Sequence, residues 1–313
     1  MKKFLLAVLI TISSFGGLSA QQDAHYTQYM YNTMAINPAY AGSRGVFSIA
    51  GLHRSQWVGI EGAPKTQTLN FHTPVSERVG VGLSIVNDDI GNGTSQETYF
   101  DGVFSYTVPI TREAKLAFGL KASGHVLNLD FSKLANYNDE VASTSLTNID
   151  RKFSPNFGAG VYYYDEKFYI GFSVPNFLAT KHFDGNATSS SFLAKERMNF
   201  YLITGYIYEL NQRWKFKPTL LLKAVNGAPL QIDLSANFMF NDKFILGAAY
   251  RWDAAVSGLF GFQASDQILL GLAYDREISE LGGSRFNDGS FEIVLRYEFR
   301  SRFGRRAIAP RFF

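Results

Sequence analysis

The sequence predicts an all-β protein, a transmembrane antiparallel β-barrel of the outer membrane with about 14 strands. Two observations favour this fold class. Apolar and polar residues alternate in successive runs from about residue 45 to residue 300, which is the period of a strand with two different faces. Tight connections also alternate with longer ones along the chain, as the periplasmic turns and extracellular loops of such a barrel do.

The composition favours contact with lipid rather than with nucleic acid. Aromatic residues make up 15% of the chain, and charged residues make up only 18%, below the usual quarter. The net charge of +3 gives no reason to expect a nucleic-acid partner. The chain has no cysteine, which excludes disulfides, cysteine-ligated zinc and a catalytic thiol.

Residues 1–20, MKKFLLAVLITISSFGGLSA, are typical of a secretory signal peptide. Lys2 and Lys3 precede an apolar run that is too short to span a membrane, and small residues follow at the expected cleavage site. We expect cleavage before Gln21. Residues 21–44 are then an N-terminal segment, long enough to fold into the lumen, with a mobile periplasmic leader as the alternative.

Residues 45–300 form the predicted barrel, and most of its strands have the about 9–11 residues that a tilted membrane strand needs. The clearest is SFEIVLRYEF, in which Phe291 and Leu295 share one face while Glu292 and Val294 share the other. We expect the apolar face to contact lipid, so an arginine at Leu295 should be more harmful than one at Val294. The predicted strands are 46–54, 66–75, 79–87, 96–109, 114–129, 154–165, 167–175, 196–209, 213–225, 229–241, 243–253, 255–264, 266–277 and 290–300.

The order of the connections predicts the orientation of the barrel. The long connections alternate with the tight ones and should be extracellular, and an even strand count places both termini in the periplasm. Trp57 and Trp252 then fall near the outer interface and Trp214 near the inner one. A β-sandwich is the alternative fold, but it would need one packed core, and strands with broad polar faces include too few that are fully apolar.

No catalytic or metal site is predicted, and we expect neither enzyme activity nor a cofactor. The stretch NDDIGNG contains Asp88 and Asp89 but lacks the spacing of a calcium loop, and its composition is typical of a turn. The glycine-rich pieces GVGLS and GAGVY lie within strands, where they indicate close packing rather than a phosphate loop. The histidines show no metal-ligand spacing; they are His25, His53, His72, His125 and His182.

Residues 301–313 form a basic and aromatic C-terminal tail without an acidic residue. With the lysines near the periplasmic ends of strands, such as Lys115, Lys215, Lys217 and Lys243, the tail predicts a positive collar that docks a partner. A solvated tail without a partner is the alternative. The candidate docking residues are Arg300, Arg302, Arg305, Arg306, Arg311, Phe312 and Phe313.

Six stretches carry a family resemblance, and they occur in order along nearly the whole chain. They are QYMYNTMAINPAYAGSRG, RSQWVGIEGAPKTQTLNFHTPV, NDDIGNGTSQ, FSPNFGAGVYYY, FYIGFSVPNF and the terminal PRFF. In these stretches the chain resembles the PorP/SprF family of type IX secretion system membrane proteins of Bacteroidota. The positions that match the family motifs are Asn37, Pro38, Tyr40, Gln56, Trp57, Pro64, Asn87, Asp88 and Gly91.

The resemblance implies an outer-membrane barrel that belongs to, or works beside, the type IX export machine. PorP-like members associate with periplasmic ring and peptidoglycan-linked components. SprF-like members serve one large surface adhesin with a type B C-terminal domain, and through it gliding motility. The family has no established catalytic residues. Two other functions remain open at this point: a general porin or solute channel, and an outer-membrane enzyme.

Overall fold

The computed structural model describes residues 25–133, 148–178, 198–226, 228–279 and 286–299. The predicted signal peptide and the C-terminal tail lie outside these residues. Among the described residues, helical structure is limited to 3-10 turns at Tyr29–Tyr31, Pro38–Tyr40 and Phe131–Lys133 and one short helix, α1 (Thr33–Ile36). Within the described ranges, no helix is long and apolar enough to cross a membrane.

Most of the other described residues lie in strands. The strands are β1 (Ser48–Ser55), β2 (Lys65–Pro74), β3 (Val79–Ile90), β4 (Ser95–Pro109), β5 (Lys115–Leu129), β6 (Ile149–Tyr164), β7 (Phe168–Val174), β8 (Asn199–Tyr206), β9 (Tyr208–Glu209), β10 (Trp214–Val225), β11 (Gln231–Phe240), β12 (Phe244–Arg251), β13 (Ala255–Gln263), β14 (Ile268–Glu277) and β15 (Ser290–Glu298).

These strands form one closed antiparallel barrel, as the sequence predicted. Each strand pairs with its neighbours in the chain, and β1 pairs with β15 to close the ring. β8 and β9 both pair with β10, so they are two parts of one strand and the barrel has fourteen. The break at Ile207 lies beside Pro218, which has no N–H to donate to the neighbouring strand.

Two strands extend at least three residues beyond their predicted bounds. β6 begins at Ile149 rather than at residue 154, and β3 continues to Ile90 rather than ending at residue 87. Both extensions lie at the end of the barrel that carries the long connections, which we call the loop rim; the opposite end is the turn rim. Ladder hydrogen bonds join backbone groups, so pairing continues beyond the apolar band that the sequence pattern detects.

The two faces of the barrel wall have opposite chemistry. In β15, Leu295 is 50% exposed on the outside, whereas Glu292 is 1% exposed on the inside. The outward apolar face therefore contacts lipid, as predicted for SFEIVLRYEF. The other strands repeat this arrangement, with outward side chains that include Phe100, Phe104, Phe118, Leu120, Phe157, Phe172, Leu234, Leu246, Phe260 and Leu272.

Candidate functional site

Residues 25–44 fold inside the barrel, and we call this segment the plug. Its first part lies near the loop rim, where Thr27 contacts Asp275 and Glu292. Its last part lies at the turn rim, where Arg44 contacts Glu298. The plug thus runs through the lumen from the loop rim to the turn rim and leads into β1.

A group of charged side chains holds the plug near the loop rim, and we call Arg54, Asp275 and Glu292 the outer clamp. The Arg54 guanidinium lies 2.6 Å from an Asp275 oxygen and 3.2 Å from a Glu292 oxygen. Glu292 accepts the backbone N–H groups of Thr27 and Gln28 at 2.9 and 2.7 Å. The Thr27 hydroxyl donates to Asp275 at 2.6 Å. The plug backbone is therefore part of a buried ionic network.

Asn37 holds the middle of the plug against β6 and β7. Its side-chain nitrogen donates to the carbonyl oxygens of Val161 at 3.0 Å and Phe172 at 3.4 Å. Its side-chain oxygen accepts the backbone N–H of Ala39 at 2.9 Å, which caps the 3-10 turn that Pro38 begins. Asn37 is 0% exposed, so all of these polar groups are satisfied by protein.

Inward glycines give the plug room to approach the wall. A methyl group on Gly119 would overlap the backbone nitrogen of Ala39, and one on Gly160 would overlap the side-chain oxygen of Asn37. A methyl group on Gly82 would lie 2.6 Å from the Met34 sulfur. Gly82 and Gly160 lie in the pieces GVGLS and GAGVY, which were predicted to pack closely, and what packs against them is the plug.

The turn-rim half of the lumen is an apolar and aromatic core that also encloses buried charged side chains. Tyr40 packs edge-to-face on His72 and Tyr162 at ring-centroid distances of 5.5 and 5.6 Å. The Lys217 ammonium and the Arg296 guanidinium lie 5.7 and 5.8 Å from the ring of Tyr31. Buried side chains of the plug join this core with residues from strands around the ring; those of the plug are Tyr29, Met30, Tyr31, Met34, Ile36, Ala39, Tyr40 and Ala41.

The remaining motif positions lie at the loop rim, where they order the connection between β1 and β2. The Gln56 N–H donates to the carbonyl of Pro64 at 3.0 Å, which closes this connection on itself. The Trp57 N–H donates to the Ser290 hydroxyl at 3.1 Å, which attaches it to the start of β15. The Gly91 N–H donates to the carbonyl of Gly62 at 2.8 Å and attaches it to the connection after β3.

The carboxylates of NDDIGNG serve this same loop structure. Asp88 accepts the Thr66 hydroxyl at 2.5 Å, and Asn87 donates to the Thr98 hydroxyl at 3.0 Å. Asp89 accepts the backbone N–H of Gly93 at 2.7 Å. In the part of the chain that the structure describes, no group of three or more histidine and acidic side chains is arranged to hold a metal ion.

The turn-rim lysines differ in their surroundings: Lys115 is partly buried and Lys243 is exposed, whereas others are paired with acids or buried. Lys215 pairs with Asp242 at 2.5 Å, and Lys167 pairs with Glu209 at 3.5 Å. Lys217, which was expected to contribute to the collar, is fully buried in the lumen. The predicted docking residues of the tail, 300–313, lie outside the described residues.

The outer clamp was not predicted from the sequence. Arg54 lies on β1, far in the chain from Asp275 and Glu292 on the consecutive strands β14 and β15, and no motif joins them. A signal was present in the sequence, because each of these three charged side chains occupies an inward position of its strand. Charged side chains at inward positions of a barrel must find partners in the lumen.

Among solved structures, the chain is similar to three transport or outer-membrane proteins. Acinetobacter baumannii outer membrane protein Omp33 is 9% identical, with 81% of this chain and 98% of that chain covered and a TM-score of 0.45. The Ralstonia pickettii toluene transporter TbuX is 12% identical, with 86% and 93% covered and a TM-score of 0.48. The P. putida toluene transporter TodX is 9% identical, with 87% of this chain and 93% of that chain covered and a TM-score of 0.44. At these low identities and TM-scores, the molecules that those proteins transport give no information about what this chain binds.

The family comparison covers the plug and the barrel together. The model of the type IX secretion system membrane protein PorP/SprF matches residues 18–297. No curated protein matches the chain. The matched range includes every motif position placed above, three of them in the plug and six at the loop rim. The chain therefore belongs to the PorP/SprF family of type IX secretion system membrane proteins, and it is an outer-membrane β-barrel.

Proposed function

We propose that this protein is a non-enzymatic partner of the type IX secretion system that supports export or surface attachment of a large adhesin. The observation that carries the proposal is the family match over residues 18–297. The cargo in this proposal has a type B C-terminal domain, and its loss impairs gliding motility. On the periplasmic side the barrel meets ring or peptidoglycan-linked components of the secretion system.

A general porin or solute channel is the second candidate, and the polar inward face of the wall favours it. The plug argues against it. Its apolar side chains are buried against the wall, and its ends are held by the outer clamp and by the Arg44–Glu298 pair at 2.6 Å. A filled lumen supports a function that depends on protein contacts rather than on solute flow.

The experiment that tests this function is deletion of the gene, followed by surface proteomics and solute-uptake measurements. We expect one large protein to disappear from the cell surface while uptake of small hydrophilic solutes stays within about twofold of the parent strain. Re-expression from a plasmid is the control. Slower solute uptake with an unchanged surface proteome would favour the channel, and loss of nearly all type IX cargo would indicate a core component.

We also propose that the C-terminal tail docks a periplasmic component of the secretion machine or the C-terminal domain of the cargo. The tail has five arginines between residues 300 and 313 and no acidic residue. Lys215 and Lys167 at the turn rim are paired with acids, so the tail adds positive charge that no acid within residues 300–313 offsets. Opposite charge speeds the encounter of partners, and Phe312 and Phe313 supply an apolar anchor.

Removal of residues 301–313 tests the tail. We expect normal barrel levels but fewer co-purified partners and less surface cargo. A matched variant that replaces Arg302, Arg305, Arg306 and Arg311 with glutamine separates the effect of charge from that of length. Unchanged partners and cargo in both variants would disprove docking, and loss of the barrel itself would assign the tail to assembly.

A further inference from the structure

The plug is attached to the wall near both rims and at its middle. We propose that it stays in place while the protein works, as a permanent part of the barrel, with Arg54 and Glu292 as positioning residues. The protein then meets its partners at its two rims, with the lumen closed. The cellular part of the test below rests on the proposed function, and the part with purified protein does not.

The charge balance of the outer clamp opposes release of the plug. Two buried carboxylates, Asp275 and Glu292, face the single guanidinium of Arg54 within ion-pair distance. The plug supplies two backbone N–H groups and the Thr27 hydroxyl as further donors, beside Ser257 of β13. If the plug left, Asp275 and Glu292 would lose these donors, and their like charges would face each other across one guanidinium, which disfavours that arrangement.

The shape of the wall also opposes release of the plug. The inward glycines of β3, β5 and β6 leave no side chain where the plug lies, so the wall is shaped around the plug. The hydroxyl of Ser105 donates to the carbonyl of Ala41 at 2.6 Å, and that of Ser173 donates to the carbonyl of Ile36 at 2.9 Å. Release would break these bonds and transfer the buried tyrosines and methionines of the plug to water.

A reversible covalent lock tests the proposal. The chain has no cysteine, so an introduced pair forms a single defined disulfide. Met34→Cys with Gly82→Cys places the pair where the Met34 sulfur now faces the Gly82 position, and loss of that sulfur makes room for the new side chain. The control pair is Ala236→Cys with Ala248→Cys, directly opposed residues of β11 and β12 on the outward face. This control joins two strands without touching the plug.

In cells, we expect the oxidised lock and the oxidised control to carry the same amount of surface cargo as their reduced forms, within about twofold. Loss of cargo in the oxidised lock, with recovery after reduction and no change in the control, would overturn the proposal. If the substitutions themselves prevent assembly, Asn32→Cys with Thr68→Cys provides a second lock, since these side chains are in contact at 3.4 Å.

The purified protein gives an answer that does not depend on the cargo. Backbone amides of residues 27–44 should exchange with deuterium at least about 100-fold more slowly than those of an unstructured peptide, in the wild type and in the oxidised and reduced lock alike. Fast exchange in the wild type that slows only in the oxidised lock would show that the plug leaves. If the cells show no cargo effect on gene deletion, the proposed function fails, and this measurement still decides the position of the plug.

Discussion

At the scale of single residues, Asn37 joins the plug to the wall through one side chain. Its amide bridges the carbonyls of Val161 and Phe172, which face each other in the β6–β7 ladder, and it also caps the turn at Pro38. A buried position with several satisfied hydrogen bonds tolerates few other residues. The match of Asn37 to the family motif thus has a structural reason, independent of any binding role.

Replacing Asn37 with alanine should lower the free energy of unfolding by about 1–3 kcal/mol, because buried carbonyl groups lose their donor. The measurement is the temperature at which the barrel loses its compact mobility in a denaturing gel. Gln67→Ala, at an exposed position of β2, is the control and should have little effect. Equal shifts in both variants would show that the bridge contributes nothing specific.

Leu295 and Val294 lie on opposite faces of β15. Leu295 faces outward near the middle of β15, so Leu295→Arg should cost about 2–4 kcal/mol and reduce assembly in the membrane. Val294 was expected to tolerate arginine better, but it is 1% exposed and packs in the lumen core beside Gly271. We now expect both variants to reduce membrane-assembled barrel, measured by heat-modifiable gel mobility. Gln267→Arg, in a turn, is the control, and normal assembly of Leu295→Arg would contradict the lipid-facing assignment.

At the scale of elements, the plug and the inward glycines of the strands form one unit. The plug has only short helical turns, so its shape comes from the wall rather than from helix propensity. The wall in turn has glycine where the plug backbone approaches, as at Gly119. Glycine on the inward face makes room for the plug, whereas an outward glycine such as Gly258 has no such contact.

This difference gives a matched pair of substitutions. Gly119→Ala would place a methyl group on the backbone of Ala39, which cannot move aside easily, so we expect a loss of about 1–3 kcal/mol or more. Gly258→Ala, on the outward face, meets no atom within 4 Å and should be nearly neutral. Thermal stability and hydrogen exchange of the plug amides would be compared. A neutral Gly119→Ala would mean that the plug is not packed on β5 as described.

At the scale of the whole molecule, the barrel has a packed interior rather than an open channel. The wall carries an outer apolar band for lipid, and the lumen holds a packed interior near the turn rim and an ionic network near the loop rim. Membrane barrels of this strand number can hold either water or protein inside. Here the protein's own N-terminal segment occupies that space.

Planar-bilayer recording tests this arrangement. We expect the wild-type protein to show no large, stable open conductance, because the plug fills the lumen. The double variant Arg54→Ala with Glu292→Ala, which removes two parts of the outer clamp, should produce open events at least about tenfold more often. Leu234→Ala on the lipid face is the control. A stable open wild-type pore would refute the filled lumen and restore the channel as the leading function.

The sequence by itself determined the fold class, the strand number and the outward face. Alternation in stretches such as SFEIVLRYEF reports directly which side chains meet lipid, because the bilayer selects apolar residues along a whole strand. The order of tight and long connections could also be predicted from the sequence, because turns and loops differ in length. These properties are local, or repeat along the chain, and need no knowledge of which strands meet.

Only the tertiary structure decided what fills the barrel. The sequence allowed residues 21–44 to be either a lumenal segment or a periplasmic leader, because a short polar and aromatic stretch has no period that fixes its surroundings. Arg54, Asp275 and Glu292 become one site when β1 pairs with β15 and β15 with β14, which brings distant parts of the chain together. The contacts that hold the plug depend on closure of the ring, and closure is a property of the whole chain.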